Sequence, residues 1–349
     1  MSTPTEQEVM SKPLTIAFIE NALSCRGTSV TLYNMAFYNE KILGNKSVII
    51  TRPLSLTSQL KREFNREAYE LFSTRWPMYY YTNTSEIDGL IVKNGIDLVF
   101  IEKAGSPEDG LIVNSVPSII HAVFETRQPH GSLYCAISHA LNEHHRTNIP
   151  VIPYMVNVMD HRENMREKLG IPKEAIVFGT YSGRECFNIP YVQQAVRDIA
   201  SQSDKYPNIY FIFMNIEPFC DASGGRVIFL EGTTDLYMKR KFINTCNAQL
   251  YGRDQGETFG LAVGEFSVCN KPAICRLGEP GDSHLKILKG DVIPHTSYGE
   301  LFDILTHFSE YNKDVRGNGY TKYTPEKIMT IFNYHVNKLM RDSRPKTEK

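Results

Sequence analysis

Gly252-Arg253-Asp254-Gln255-Gly256-Glu257-Thr258-Phe259-Gly260-Leu261-Ala262-Val263-Gly264-Glu265-Phe266 runs from a charged, glycine-bearing loop into an apolar helix, and the apolar run Ala248 to Tyr251 lies just before it. The unit therefore reads strand, loop, helix. Two glutamates, Glu257 and Glu265, have seven residues between them. The first ends the loop and the second is expected about two turns into the helix, so both can face one ligand, roughly 12 Å apart at about 1.5 Å of rise per residue. The amides of Phe259, Gly260 and Leu261 lie between them, at a helix N-terminus whose unpaired N–H groups and positive dipole end suit phosphate. Gly260 is expected to remove a Cβ that would hold phosphate oxygens away. From these residues alone, an ordinary αβ unit with one buried and one solvated glutamate reads equally well.

Working outward, 349 residues suffice for two domains, each with its own core. Hydrophobic content of 42% and charged content of 22% belong to a globular protein. A net charge of −1 gives no field that would recruit nucleic acid, so local groups must hold any phosphate. The seven cysteines, Cys25, Cys135, Cys186, Cys220, Cys246, Cys269 and Cys275, are scattered and form no C-x-x-C pair. They argue against a disulfide framework or a zinc site and for a reducing, cytoplasmic setting. Residues 1–12 are polar and expected to be disordered; neither a signal peptide nor a membrane span is expected.

Leu14 to Glu20 reads as a buried strand running into Asn21 to Thr28 and a helix through Leu43, and Lys46 to Thr51 is the next strand. An amphipathic helix is expected between Gln59 and Leu71, then short strands at Gly95 to Ile101 and Ser118 to Phe124. The two prolines of Ile149 to Tyr154 and the polar stretch Asp160 to Lys168 suit a crossing between domains. A second α/β pattern follows, with strands at Ile176 to Tyr181, Ile209 to Met214, Val227 to Leu230, Ala248 to Tyr251 and Pro272 to Cys275, and a helix at Pro190 to Ser201. Thr324-Pro325 starts a helix that runs to about Met340 before a basic tail. Strands alternating with helices imply Rossmann-like sheets.

Two such halves with this glutamate pair resemble GT-B glycosyltransferases of the retaining family-4 type. The resemblance covers most of the chain. In that family an E-x7-E segment closes the donor site and is followed by an xKPxI run, matched here by Asn270-Lys271-Pro272-Ala273-Ile274; Val151 to Tyr154 and Arg166 to Pro172 match the entry to the second domain. The resemblance implies a GT-B α/β fold with an interdomain cleft. It divides the chain into an acceptor domain over 13–152, a nucleotide-sugar domain over 153–324, and a crossing-back helix and tail over 325–349. It implies that Glu257 binds the donor sugar and Glu265 the ribose, both as hydrogen-bond acceptors. Gly27 and Thr28 match the glycine-bearing turn after the first strand, and His121 matches a histidine placed against the donor sugar. Read from the residues alone, Gly27 is a tight turn and His121 a structural histidine.

The sequence departs from the family at the phosphate. Where family members carry a Gly-Arg after the first strand of the second domain and a lysine shortly after, this chain has Gly179-Thr180, with Arg184 four residues later and no lysine. Arg184 or Arg253 is expected to replace that charge, each being equally readable as a surface or ion-paired arginine. No D-x-D occurs, and His130, His139, His144 and His145 lack ligand spacing, so neither a metal nor another cofactor is expected. Lys61, Arg62, Arg66 and Arg75 beside Trp76, Met78, Tyr79, Tyr80 and Tyr81 could touch a membrane surface or a sugar, although a solvated helix face followed by core aromatics is the favoured reading.

The resulting expectation is a retaining, metal-independent glycosyltransferase. It moves sugar from a nucleotide diphosphate sugar to a hydroxyl of a glycan, a lipid-linked molecule or a protein, with no nucleic-acid partner. A GT-B nucleotide-sugar epimerase and a donor-binding scaffold without turnover are the alternatives.

Overall fold

Unbroken apolar runs such as Ile16-Ala17-Phe18-Ile19 and Tyr210-Phe211-Ile212-Phe213 need cover on both faces, and parallel strands between helices supply it. The computed structural model describes residues 12–57, 66–278, 281–312 and 319–343. Among these, two six-stranded parallel sheets form. The first contains β1 (Thr15–Ile19), β2 (Lys46–Thr51), β3 (Met78–Tyr80), β4 (Leu98–Lys103), β5 (Ser118–Ala122) and β6 (Leu133–Ala136) in the order β3-β2-β1-β4-β5-β6. The second contains β7 (Ile176–Tyr181), β8 (Ile209–Met214), β9 (Val227–Leu230), β10 (Ala248–Leu250), β11 (Ala273–Arg276) and β12 (Val292–His295) in the order β12-β11-β10-β7-β8-β9. Both orders are doubly wound. The connections reverse direction beside β1 and β4 and again beside β7 and β10, which opens a crevice at the carboxyl ends of those strands.

The helices are α1 (Gly27–Lys41), α2 (Leu54–Thr57), α3 (Arg66–Ser73), α4 (Ile87–Lys93), α5 (His139–His145), α6 (Pro190–Ser201), α7 (Leu236–Thr245), α8 (Leu261–Val268), α9 (Ser283–Leu288), α10 (Tyr298–Thr306), α11 (Phe308–Tyr311) and α12 (Pro325–Asp342). At the start of α12, Thr324 accepts from the Lys327 amide and Pro325 occupies the first turn. Its buried stripe of Ile328, Met329, Phe332 and Val336 returns to the first sheet, where Phe332 meets Phe100 edge to face at 5.8 Å.

Strand expectations hold for the central strands. The expected strand at Gly95 to Ile101 is displaced to β4, while β3, β6 and β12 were not foreseen. All three sit at a sheet edge, where β12 tolerates Pro294 because one side of its ladder is unpaired. The helix expected from Gln59 begins, among the described residues, at Arg66; its earlier part, residues 1–11 and the tail from 344 lie outside them. Glu265 stands in the second turn of α8, but the helix begins only at Leu261, so the carboxylates are not separated by two helical turns.

The halves share a core. Phe259 packs against Tyr154 at 5.4 Å, Tyr320 at 5.5 Å and Tyr323 at 5.1 Å between ring centroids, and the Tyr320 hydroxyl donates to the Phe259 carbonyl at 2.6 Å. One turn along α8, a Cβ at Gly264 would stand 2.6 Å from the Tyr320 ring. Gly264→Ala should therefore lower stability by about 1–3 kcal/mol through overpacking, read as a fall in the urea midpoint at unchanged slope.

Candidate functional site

The crevices of the two sheets face each other and enclose a cavity of about 570 Å³, within the range of small-ligand sites. Its first wall comes from the segments after β1, β2, β4 and β5, including Asn21, Gly27, Thr28, Arg52, Asp109 and Phe124. Its second wall comes from the segments after β7 and β10 and from the start of α8, including Thr180, Arg253, Glu257, Gly260, Leu261 and Glu265.

Two helix N-termini open into this space. In α8 the first helical bond runs from Gly264 N–H to Gly260 C=O at 2.9 Å, which leaves the amides of Leu261, Ala262 and Val263 without a partner inside the helix. All three residues line the cavity. The amide set is thus two residues later than expected, because Gly260 turns left-handed and the helix begins only at Leu261. Gly260 caps the helix at φ +81°, and a Cβ there would stand 2.8 Å from His284 Cβ and 3.0 Å from the Tyr320 hydroxyl. Its missing side chain serves the turn and the packing behind it rather than clearance for phosphate. On the other wall α1 starts at Gly27 with no side-chain cap, and its first bond, Val30 N–H to Arg26 C=O at 3.1 Å, lies beyond Gly27 and Thr28. Gly27 meets α8 directly, since a Cβ there would lie 3.8 Å from Leu261 Cδ2.

Each glutamate of the pair carries a cation. Arg253 Nη1 lies 3.3 Å from Glu257 Oε2, one turn of sequence apart. Burial raises the Glu257 carboxyl above its usual range, opposed by Arg253. Glu265, buried to 3% exposure, accepts from the Tyr181 hydroxyl and lies 3.5 Å from the ammonium of Lys239, which also stands 5.0 Å over the Tyr181 ring. Burial, then the Glu265 charge, drives the Tyr181 hydroxyl far above its ordinary pKa. Lys239 lies on α7, eighteen residues before Glu257, in no motif that a reading of the sequence would flag.

Two expected residues are not brought into the cavity. Arg184 is 51% exposed with Nε 4.0 Å from Glu217, and it does not line the space, although its loop neighbours Gly183 and Cys186 do. Thr180, where the resemblance leads one to expect an arginine, accepts from Gln249 at 3.2 Å. His121 is fully buried and also absent from the lining. Parallel register sets it beside Glu102 on the neighbouring strand, with Nδ1 2.5 Å from Glu102 Oε2 and Nε2 2.7 Å from the Ile152 carbonyl. A carbonyl only accepts, so Nε2 donates to Ile152, while Nδ1 faces the carboxylate. The Tyr154 hydroxyl donates to the other Glu102 oxygen at 2.5 Å. His121 thus has no ring nitrogen left for a sugar.

Arg26 reaches across the mouth to Glu185 at 2.9 Å, and Lys103 pairs with Asp109 at 2.5 Å. Of the basic and aromatic stretch after α2, Arg75 stacks on Phe37 at 4.3 Å and Trp76 is buried, while Lys61 and Arg62 lie outside the described residues. Among the described residues no three His, Cys, Asp or Glu side chains group as a metal site, and no helix is long and apolar enough to cross a membrane.

The sequence matches no protein-family model and no curated protein. Solved structures do share the architecture. HepE of Anabaena, in complex with UDP-glucose, matches with a TM-score of 0.67 at 14% identity over 93% of this chain and 100% of that one. The pneumococcal O-GlcNAc transferase GtfA, with UDP and GlcNAc, matches with a TM-score of 0.62 at 10% identity over 95% and 100%. A putative UDP-N-acetylglucosamine 2-epimerase from Listeria monocytogenes matches with a TM-score of 0.57 at 11% identity over 94% and 98%. The chain has the GT-B fold.

Behind α8, burial and then the Arg253 charge push the His284 imidazole down to about 3, and burial pushes His295 down to about 4. Both are neutral in the folded chain where the unfolded chain, titrating near 6.5, takes up a proton. Stability should therefore fall as pH drops from 6.5 toward 5, by up to about 1.4 kcal/mol per pH unit for each histidine. Urea titrations across that window check this, and His284→Gln should reduce the slope.

Proposed function

We propose that this protein transfers a sugar from a nucleoside diphosphate sugar to a hydroxyl acceptor, with retention of configuration and without a metal. The observation that carries this reading is the meeting of two uncapped helix N-termini, one from each sheet, with Lys239, Arg253 and two carboxylates around one cavity. The fold shared with structures in complex with UDP-glucose and with UDP and GlcNAc supports it.

The diphosphate lies across the Leu261, Ala262 and Val263 amides, with Lys239 supplying the cation absent at Thr180. When phosphate draws Lys239, Glu265 keeps the Tyr181 hydroxyl on Oε2 and gains acceptor capacity for the ribose hydroxyls. Glu257 accepts from hydroxyls of the transferred sugar, and its partial neutralisation by Arg253 lets it stay ionised beside a second anion. As the bond from the anomeric carbon to the phosphate oxygen breaks, helix dipole and ammonium stabilise the departing charge. The acceptor oxygen bonds to that carbon from the same face and its proton passes to the leaving phosphate, so neither glutamate is a nucleophile. The residues before the crossing at 152 form the acceptor side and 153–324 the donor side, in a cytoplasmic enzyme.

Epimerisation of a nucleotide sugar is the second reading. It is favoured by Glu20, a buried carboxylate that lines the cavity one residue beyond β1, because that reaction needs a group that exchanges a proton with a sugar carbon. An isomerised nucleotide sugar formed without acceptor would select it over transfer.

A thermal-shift screen of UDP-, GDP-, ADP- and TDP-sugars should show stabilisation by one nucleotide class. Lys239→Met should weaken that nucleoside diphosphate about 10- to 100-fold, as expected for one charge-assisted contact, and leave the nucleoside unchanged; equal affinity for the diphosphate would contradict the reading. Glu257→Gln should slow transfer about 100-fold or more with the melting temperature retained.

A further inference from the structure

We infer that Phe124 is a platform on which a sugar ring of the acceptor stacks, so that the acceptor is a carbohydrate rather than a lipid or a polypeptide. The inference rests on the transferase reading and specifies the acceptor side of the same cavity. Phe124 is 50% exposed, lines the cavity, and stands two residues beyond β5 on the first wall. A ring left half in water forgoes roughly 1 kcal/mol of burial, and the backbone that carries it is tied down on both sides. The Phe124 amide donates to the Ala104 carbonyl at 3.0 Å and the Glu125 amide to the same carbonyl at 2.8 Å. The Tyr134 hydroxyl lies 2.7 Å from the Gly105 carbonyl and 2.5 Å from that of Glu125. Gly105, at φ +116°, brings its backbone so near that a Cβ would meet Glu125 O at 2.2 Å. The backbone that carries the aromatic is thus held in a fixed place, which lowers the ordering entropy of binding.

Its surroundings choose the class of ligand. The neighbouring strand end carries the Lys103–Asp109 ion pair, and the next one carries Asn21; all three residues line the same wall. At about 4.8 Å per strand, β1 to β5 spans roughly 10 Å, enough for a sugar with its C–H face on the ring and its hydroxyls over the polar strand ends. A lipid chain would need a continuous apolar strip. The other large apolar side chains left exposed, such as Tyr80, Val92, Met159 and Leu277, lie off the cavity.

Saturation-transfer NMR on the full chain, with and without UDP, tests this using glucose, galactose, mannose, N-acetylglucosamine and their methyl glycosides as probes. At least one sugar should bind. Phe124→Ala should weaken it about tenfold, Phe124→Trp should retain it, and UDP binding should be unchanged by either. Sugar affinity equal in Phe124→Ala and the parent chain overturns the inference, as does a parent chain that binds none of the sugars. Phe124-dependent binding of anionic phospholipid vesicles or of a serine-rich peptide in place of sugars overturns the carbohydrate assignment. Failure of UDP to bind the parent chain counts against the transferase reading instead, and the sugar arm without UDP still tests Phe124.

Discussion

The corner at Phe259 and Gly260 decides how the two halves meet. Phe259 buries its ring among Tyr154, whose hydroxyl donates to Glu102 of the first half, and Tyr320 and Tyr323 ahead of the last helix, and Tyr320 also holds its carbonyl. Full burial of such a ring is worth about 1.5–3 kcal/mol, and the aromatic contacts add to it. The next residue turns left-handed, which only glycine does at little cost, and His284 and Tyr320 fill the room where a side chain would stand. The chain then enters α8 with its first amides aimed into the cleft. One contact thereby joins the halves, fixes the helix direction and leaves an anion-binding end open.

Charge in the cleft follows the same arrangement. Lys239 with Glu265, Arg253 with Glu257, and Lys103 with Asp109 are cation–carboxylate pairs on the cavity wall. Taking either partner from water is expensive unless the other is present, so these pairs are a resting state in which cations are kept dry and in place. In the function proposed above, a diphosphate would offer the same cations a denser anion while the helix amides share its charge. The His121–Glu102–Tyr154 network, by contrast, is closed on itself and stiffens the floor of the first wall.

Much of the fold was legible because central parallel strands are continuous apolar runs. β7, β8 and β9 lie where the sequence puts them. Of the edge strands, β9 is legible as the apolar run Val227 to Leu230, whereas β3 is three residues of Met and Tyr and β12 contains a proline, and neither of these has a pattern distinct from loop or core aromatics. At the site, Glu257, Glu265 and the helix N-terminus were visible as a local motif. Lys239 was not, because it reaches Glu265 through tertiary packing of α7, and no spacing in the sequence encodes that. His121 was misread for the same reason: the register that sets Glu102 beside it is a property of two strands, not of one.

Amide hydrogen exchange with and without UDP tests the central claim, that one helix N-terminus from each half grips a nucleoside diphosphate. Slower exchange at Leu261, Ala262 and Val263 together with Gly27 and Thr28 is the predicted result. Unchanged exchange at all five under saturating UDP, or protection confined to one wall, would contradict it.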